Sequence, residues 1–163
     1  KLALASYFAE LTEAVCREQW EASEMLSLLL NALYALGTLK KPQRLVKAAF
    51  TWRFLSAAGF APLIDGCAVC GCEAPEEPRI HLGEGVIHCA ACRSEVGDGI
   101  SMPLTNAALA ALRHIIWGDP KRLFSFRINA IELQQLADLA EAYLTTQLER
   151  GFSTLDFYKS LYI

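Results

Sequence analysis

Two Cys-x-x-Cys pairs set the strongest constraint on what this chain can fold into. Cys67 and Cys70 form the first pair, Cys89 and Cys92 form the second, and eighteen residues separate the pairs. This spacing is typical of a four-cysteine zinc site, because each pair can hold one edge of a tetrahedral ion and the loop between them is long enough to fold back. Four thiolates leave no open position for water or substrate. The sequence therefore predicts a Zn²⁺ site with a structural role.

The remaining cysteines and the nearby histidines have other interpretations. Cys16 falls on a predicted apolar helix and is expected to be a small buried side chain. Cys72 is either a spare thiol or an alternative ligand, whereas His81 and His88 are interpreted as polar loop residues, because four cysteines already complete the site. Three disulfides are the alternative use of six cysteines, but a helix-rich, apolar chain does not need them. Free thiolates indicate a reducing compartment, the cytoplasm.

Length and composition predict one globular domain. The chain has 163 residues, of which 53% are hydrophobic, so it can bury a core of ordinary size. Apolar runs such as residues 107–112 are far too short to span a bilayer, and no membrane partner is expected. The chain begins with Lys1 and not with Met, from which we expect a preceding part of the protein.

Apolar residues that recur every three or four positions predict three helices before the cysteines. The first covers residues 2–16, the second runs from near Glu21 to Gly37, and the third begins at Pro42 and ends at Gly59. Gly37 is expected to end its helix in the left-handed conformation. The predicted buried stripe of the second helix comprises Met25, Leu26, Leu29, Leu33 and Leu36.

The pattern changes between residues 62 and 102 and then becomes helical again. Short apolar pieces at 80–82 and 86–87 predict a hairpin, and Gly71 suits a left-handed turn after Cys70. Two more helices are expected, one capped by Thr105 and one that begins at Asn129 with Glu132 completing a capping box. The apolar tail from residue 152 is expected to pack against the rest. We therefore predict a mainly α, single domain over residues 1–163, a helical bundle with an inserted zinc knuckle and hairpin over residues 64–100.

Positive charge is concentrated in one segment of an acidic chain. The formal net charge is −3, yet residues 38–60 contain five basic residues and no acidic one, namely Lys40, Lys41, Arg44, Lys47 and Arg53. Such a strip is a candidate docking surface for phosphates or for an acidic peptide, and solvated side chains on an exposed helix edge are the alternative. The neighbouring Phe50 and Trp52 are predicted to lie in the core.

The sequence offers no recognisable catalytic motif. Phosphate-binding glycine loops, metalloprotease motifs and nucleophile elbows are absent, and the chain has only three histidines that could serve in a catalytic triad. His114 is interpreted as a structural residue on a helix, and the pair Glu10 and Glu13 as a solvated face. We therefore expect no enzymatic activity.

Five stretches, in order along the chain, carry a resemblance to a known family. They are YFAELTE from Tyr7, FLSAAGFAP from Phe54, CAVCG from Cys67, MPLT from Met102 and LAALR from Leu109. Together they resemble the C-terminal part of the bacterial recombination and repair mediator RecO, and the four cysteines match the zinc pattern of its zinc-containing members.

The resemblance implies a DNA-repair role in the bacterial cytoplasm, at the nucleoid. It implies a missing N-terminal OB-fold that would hold most of the single-stranded DNA. It also implies partnership with RecR and with the acidic C-terminal tail of single-stranded DNA-binding protein, and help in loading RecA. The alternative hypothesis is a zinc-ribbon module that reads duplex DNA directly, but the helix after the knuckle offers it only Arg113 and His114.

Overall fold

The protein is mainly α-helical, as the sequence predicts. A computed structural model describes residues 1–15 and 22–161, so that Cys16 and the expected start of the second helix at Glu21 lie outside the described residues. The six α-helices of these two ranges are α1 (Leu2–Val15), α2 (Ala22–Gly37), α3 (Gln43–Ala57), α4 (Asn106–Trp117), α5 (Ala130–Leu148) and α6 (Ser153–Ser160). None of these helices is long and apolar enough to cross a membrane.

Helix α3 lies at the centre of the bundle and packs against α1, α2, α4 and α5. Trp52 is fully buried, and its indole N–H donates to the Leu136 carbonyl at 3.2 Å. Phe50 is also buried and stacks on Phe8 with 4.0 Å between ring centroids. The prediction that both aromatic residues belong to the core is confirmed.

Helix α2 buries only part of the predicted row, namely Met25 and Leu36, with Leu29 partly buried. Leu26 and Leu33 are exposed, and the buried residues are Met25, Leu28, Ala32, Ala35 and Leu36. Because α2 is apolar on more than one side, its periodicity alone did not define the face that packs on α3. The expectation for Gly37 is also wrong, since the left-handed residue after this helix is Lys40, with a φ of 52°.

A three-stranded antiparallel sheet separates the two halves of the bundle in sequence. Its strands are β1 (Arg79–His81), β2 (Val86–His88) and β3 (Ser101–Pro103), in the order β2-β1-β3. Ile80 lies opposite Ile87 on one side and Met102 on the other. The hairpin of β1 and β2 was predicted, whereas β3 was not, because a strand of three residues ending in proline gives little periodic signal.

The hairpin rests on helix α5. Ile80 and Ile87 are fully buried in the same apolar core as the helices. The Gln147 side-chain amide donates to the carbonyls of Leu82 at 2.7 Å and Gly83 at 3.0 Å. Gly85 has a φ of 66°, and a Cβ there would lie 2.5 Å from the Tyr143 hydroxyl. Only glycine therefore allows the turn to sit this close to α5.

Two predicted helix caps are present. The Thr105 hydroxyl accepts from the Ala108 N–H at 3.1 Å, and the Asn129 side chain accepts from the Glu132 N–H at 2.8 Å. The Glu132 carboxylate, however, accepts from the Thr105 hydroxyl at 3.3 Å. It thus joins the starts of α4 and α5, which the capping-box interpretation did not anticipate.

The C-terminal tail packs against α1, as predicted, and Glu10 helps to hold it. Phe152 is buried next to Tyr7, and the carboxylate of Glu10 accepts from the Thr154 N–H at 3.0 Å and from the Thr154 hydroxyl. Glu10 therefore caps α6 from another helix, a role that its interpretation as part of a solvated face did not anticipate. The hydrogen bond from the Thr154 hydroxyl holds the pKa of the Glu10 carboxyl below its ordinary value, against the opposing effect of burial.

A buried ion pair joins α3, α5 and α6. The Lys47 side chain is almost fully buried, and it donates to Glu141 and lies over the Tyr158 ring, 5.4 Å from its centroid. Glu141 also accepts from the exposed Lys159 at 2.8 Å. Burial acts to raise the pKa of the Glu141 carboxyl, but the hydrogen bonds from Lys159 and Lys47 outweigh it and lower the pKa. The carboxylate is thus ionised at neutral pH and neutralises a lysine inside the protein.

Glu141→Ala should leave the Lys47 ammonium buried and unpaired, and we expect the free energy of unfolding to fall by about 3–5 kcal/mol. The matched control is Lys159→Ala, which removes only the exposed partner and should cost less than about 1 kcal/mol. Urea unfolding followed by circular dichroism measures both. Equal losses for the two variants would contradict a special role for the buried pair.

The Glu10 cap predicts a pH dependence of stability. Because the folded state lowers the pKa of Glu10, its contribution is fully present above the unfolded value of about 4.3 and is lost as pH falls through the folded value. Glu10→Gln should therefore cost about 1 kcal/mol at neutral pH, as for other caps, and progressively less below about pH 4.3. Thermal melts of both proteins over this pH range test it. A stability difference that does not change with pH would rule out the charged cap.

Candidate metal centre and neighbouring surfaces

The four predicted ligands come together at the outer end of the hairpin. Their Sγ atoms all lie within 4.8 Å of one another, and those of Cys70 and Cys89 are 3.8 Å apart. A tetrahedral zinc site with Zn–S bonds of about 2.3 Å has sulfur atoms about 3.8 Å apart. The donor set and its spacing therefore fit a tetrahedral, thiolate-liganded metal ion.

The backbone of the first pair is shaped for this arrangement. Gly71 has a φ of 73°, as predicted, and its N–H donates to the Cys67 carbonyl at 2.9 Å. Gly66 also needs to be small, because a Cβ there would lie 2.9 Å from the Cys72 carbonyl oxygen. The exposed Cys72 thiol donates instead to the Ala74 carbonyl at 3.4 Å and lies outside the cluster of four.

The second pair is placed by β2 and the turn that follows it. Cys89 comes directly after the strand, and Cys92 lies in a short 3-10 helix over Ala90–Glu95. The Cys89 N–H donates to the Cys67 sulfur at 3.3 Å. Since β2 is fixed in the sheet, the second pair is held in position for the first.

The thiols have opposed pKa shifts. Burial acts to raise the pKa of Cys67, but backbone N–H groups of Cys70, Cys89 and Val69 outweigh it and lower the pKa to about 6. Burial, followed by hydrogen bonds and repulsion from Cys67 and Cys70, raises the pKa of Cys89 to about 11 and that of Cys92 to about 12. Neighbouring thiolates thus disfavour one another's ionisation here, and a divalent metal ion would supply the compensating positive charge.

The two histidines of this region are buried, so their interpretation as polar loop residues was wrong. His88 uses both ring nitrogens, Nδ1 with the Cys89 carbonyl at 2.9 Å and Nε2 with the Ser101 hydroxyl at 3.0 Å. His81 accepts from the Glu84 N–H at 3.0 Å through Nδ1. His88 thus links β2, β3 and the second cysteine pair without entering the ligand set.

Arg113 fastens the first cysteine loop to helix α4. Its guanidinium donates to the carbonyls of Ile64, Asp65 and Glu73, each at 2.9 Å, and lies over the Trp117 ring. From the sequence, Arg113 was considered only as an outward-facing basic residue. Its bonds to the cysteine loop could not be predicted, because an arginine that bonds to distant backbone carbonyls leaves no pattern in sequence.

The five basic residues of the predicted strip do not share one surface. Lys40 and Arg44 are exposed and Lys41 is half-buried, whereas Lys47 is the buried partner of Glu141. The Arg53 guanidinium donates to the carbonyls of Ile115 at 3.2 Å and Ile116 at 2.7 Å. The exposed charges thus lie at the start of α3 and Arg53 at its other end.

Each end of α3 borders a cavity. Arg44 and Lys47 line one of about 470 Å³, together with Asp138, Glu141 and Lys159. Arg53 lines another of about 320 Å³, between α2 and the segment after α4, with Leu28, Asn31, Pro120 and Leu123. The first cavity has three basic side chains and two carboxylates on its wall, and the second combines the Arg53 guanidinium and the Glu24 carboxylate with apolar side chains.

The chain is similar to several bacterial DNA repair proteins named RecO. The DNA repair protein RecO of Acetivibrio thermocellus is 29% identical over 162 residues, which cover 99% of this chain and 63% of that protein. The RecO of Desulforudis audaxviator is 30% identical over 98% of this chain and 63% of that protein, and that of Anaeromyxobacter sp. strain K is 37% identical over 69% of this chain and 43% of that protein.

The chain spans just under two thirds of the length of the first two relatives. The family model for the C-terminal part of recombination protein O matches residues 1–156, which is nearly all of the chain. The chain therefore belongs to the family of RecO C-terminal domains.

Proposed function

We propose that this domain serves DNA repair and homologous recombination as the partner-binding, non-catalytic part of a RecO-type mediator. The family match over residues 1–156 carries this proposal, and the relatives are DNA repair proteins by name. In this role it would act with RecR and single-stranded DNA-binding protein and help to load RecA, as the sequence resemblance implies. The exposed Lys40 and Arg44 and the half-buried Lys41 would add weak contacts to the phosphates of single-stranded DNA.

The first molecular proposal is that Cys67, Cys70, Cys89 and Cys92 hold a structural Zn²⁺. Their spacing fits a tetrahedral ion, and their thiol pKa values require a cation for full ionisation. The ion would cross-link the loop after Ile64 to the turn after β2. It would thereby complete the zinc-binding insertion that we assign to residues 64–100.

Zinc removal should disorder only part of this insertion. Ile80 and Ile87 are buried in the bundle core and Gln147 holds the hairpin turn, so the strands should persist without metal. The cysteine loops around residues 66–77 and 89–99 lack such burial for most of their length. We therefore expect faster amide exchange in these two loops after chelation, with the helical circular dichroism signal retained.

Cys70→Ser tests the ligand set, with Cys72→Ser as its matched control. Cys70→Ser should weaken metal affinity by more than about tenfold and alter the thiolate-to-Co²⁺ charge-transfer band, whereas Cys72→Ser should leave both unchanged. Loss of the band in Cys72→Ser would contradict the assigned ligands. Collapse of the whole helical signal on chelation would contradict the local role of the ion.

The second molecular proposal places an acidic, apolar-ended peptide in the cavity beside Arg53. Leu28 and Leu123 are buried and provide its apolar wall, and the exposed Lys121 and Arg122 follow Pro120 at its edge. Positive charge would steer the peptide, and burial of its last side chains would hold it. Glu24 also lines this cavity, so the attraction would come from Arg53, Lys121 and Arg122 together. The cavity at the other end of α3 fits less well, because Tyr158 is the one largely apolar side chain in its lining and Asp138 and Glu141 offset its basic residues.

A titration with two labelled ligands tests this assignment, one an acidic peptide that ends in apolar residues and the other a short single strand of DNA. Lys121→Glu with Arg122→Glu should weaken binding of the acidic peptide about tenfold, because both charges flank the cavity. The matched control, Lys40→Glu with Arg44→Glu, makes the same charge change at the other end of α3 and should reduce only the weak binding of a short single strand. Peptide binding lost in the control and kept in the first variant would move the site to the other cavity. Tight duplex binding with no peptide response would favour the zinc-ribbon alternative.

A further inference from the structure

Helix α2 carries a row of exposed apolar residues on the side away from the core. Leu26, Leu30 and Leu33 are 51%, 55% and 37% exposed, and Tyr34 beside them is 55% exposed. Leu26, Leu30, Leu33 and Gly37 follow the i, i+4, i+7, i+11 spacing of a coiled-coil seam. None of the described residues covers this seam, which consists of Leu26, Leu30, Leu33 and Gly37.

We propose that this seam packs against the α2 seam of a second copy of the chain, in an antiparallel, two-fold symmetric pair. The spacing is self-complementary in this orientation. When Leu30 of one copy lies beside Leu33 of the other, Leu26 of the first copy lies beside Gly37 of the second. A large side chain thus meets a residue without one, and the two helices can approach closely.

Gly37 supports this register because nothing inside the domain requires a glycine there. It is the last residue of α2, its φ is not in the left-handed region, and a Cβ added to it would meet nothing within 4 Å. A leucine of a second copy packed against Gly37 would explain why no larger side chain stands there.

Charge favours the antiparallel direction. Glu24 lies in the first turn of α2, and Lys40 and Lys41 follow the last turn. A parallel pair would bring the lysines of both copies together, whereas an antiparallel pair brings them towards the partner's acidic end and also opposes the two helix dipoles.

The contact area sets the expected affinity. Three leucines and a tyrosine on one short helix bury less than the roughly 800 Å² per partner that is typical of a stable complex. The dimer should therefore dissociate with a constant of about 10–100 µM, well within reach of sedimentation velocity.

Sedimentation of the full zinc-loaded chain, from well below to well above this range, should show a concentration-dependent dimer. Leu30→Glu should weaken it by more than about tenfold without lowering the melting temperature, because the side chain is exposed in the single copy. Ile131→Glu makes the same kind of change at a still more exposed residue, on α5, and should have no effect.

A size exchange tests the register. Leu26→Ala and Gly37→Leu should each weaken the dimer several-fold, and the combined variant should recover most of the loss because the large and small positions have changed places. A chain that stays monomeric throughout, as expected if another protein covers this face, would overturn the proposal. So would a dimer that is unaffected by Leu30→Glu, or losses that simply add in the combined variant.

Discussion

Helix α3 is surrounded by four other helices, and the polar side chains along its buried length must therefore find partners inside the protein. Lys47 pairs with Glu141, Thr51 lies 3.1 Å from the Tyr7 hydroxyl, and Arg53 caps the carbonyls at the end of α4. These contacts tie α3 to α5, α1 and α4 in turn. Two of the five charges in the predicted docking strip, Lys47 and Arg53, are thus parts of the internal framework, and Lys40, Lys41 and Arg44 are left at or before the start of α3.

The cysteine insertion depends on this framework at its base, and a metal ion bound by its four thiols would hold its tip. Burial of Ile80 and Ile87 fixes the sheet in the core, and Arg113 and Gln147 hold the adjoining loops by their backbone carbonyls. The four thiols lie beyond these anchors, where burial alone is insufficient and their ionised forms repel one another. A metal ion at that point would stabilise a short stretch of chain that the apolar core does not reach.

Short-range signals in the sequence predicted much of this arrangement. Thr105 and Asn129 act through hydrogen bonds to residues three positions away, and the cysteine pairs are likewise local, so their roles could be predicted from spacing. The roles of Glu10 and Arg113 could not, because each bonds to backbone far away in the chain and its partner carries no side-chain signature. The buried face of α2 was predicted only in part, for another reason. When a helix has apolar residues on two sides, its periodicity fits more than one buried face.

That second apolar side of α2 lies away from the residues that border the Arg53 cavity. Ser27, Leu28 and Asn31 line the cavity, and at 100° per residue they occupy a different part of the helix surface from Leu26, Leu30 and Leu33. Pairing through the seam would therefore leave this part of the cavity wall open, while Glu24, which also lines the cavity, would face the lysines that follow α2 in the other copy. A dimer would present two such cavities, and a partner with more than one acidic tail would bind it more tightly than a single copy, because the second tail binds from a high local concentration.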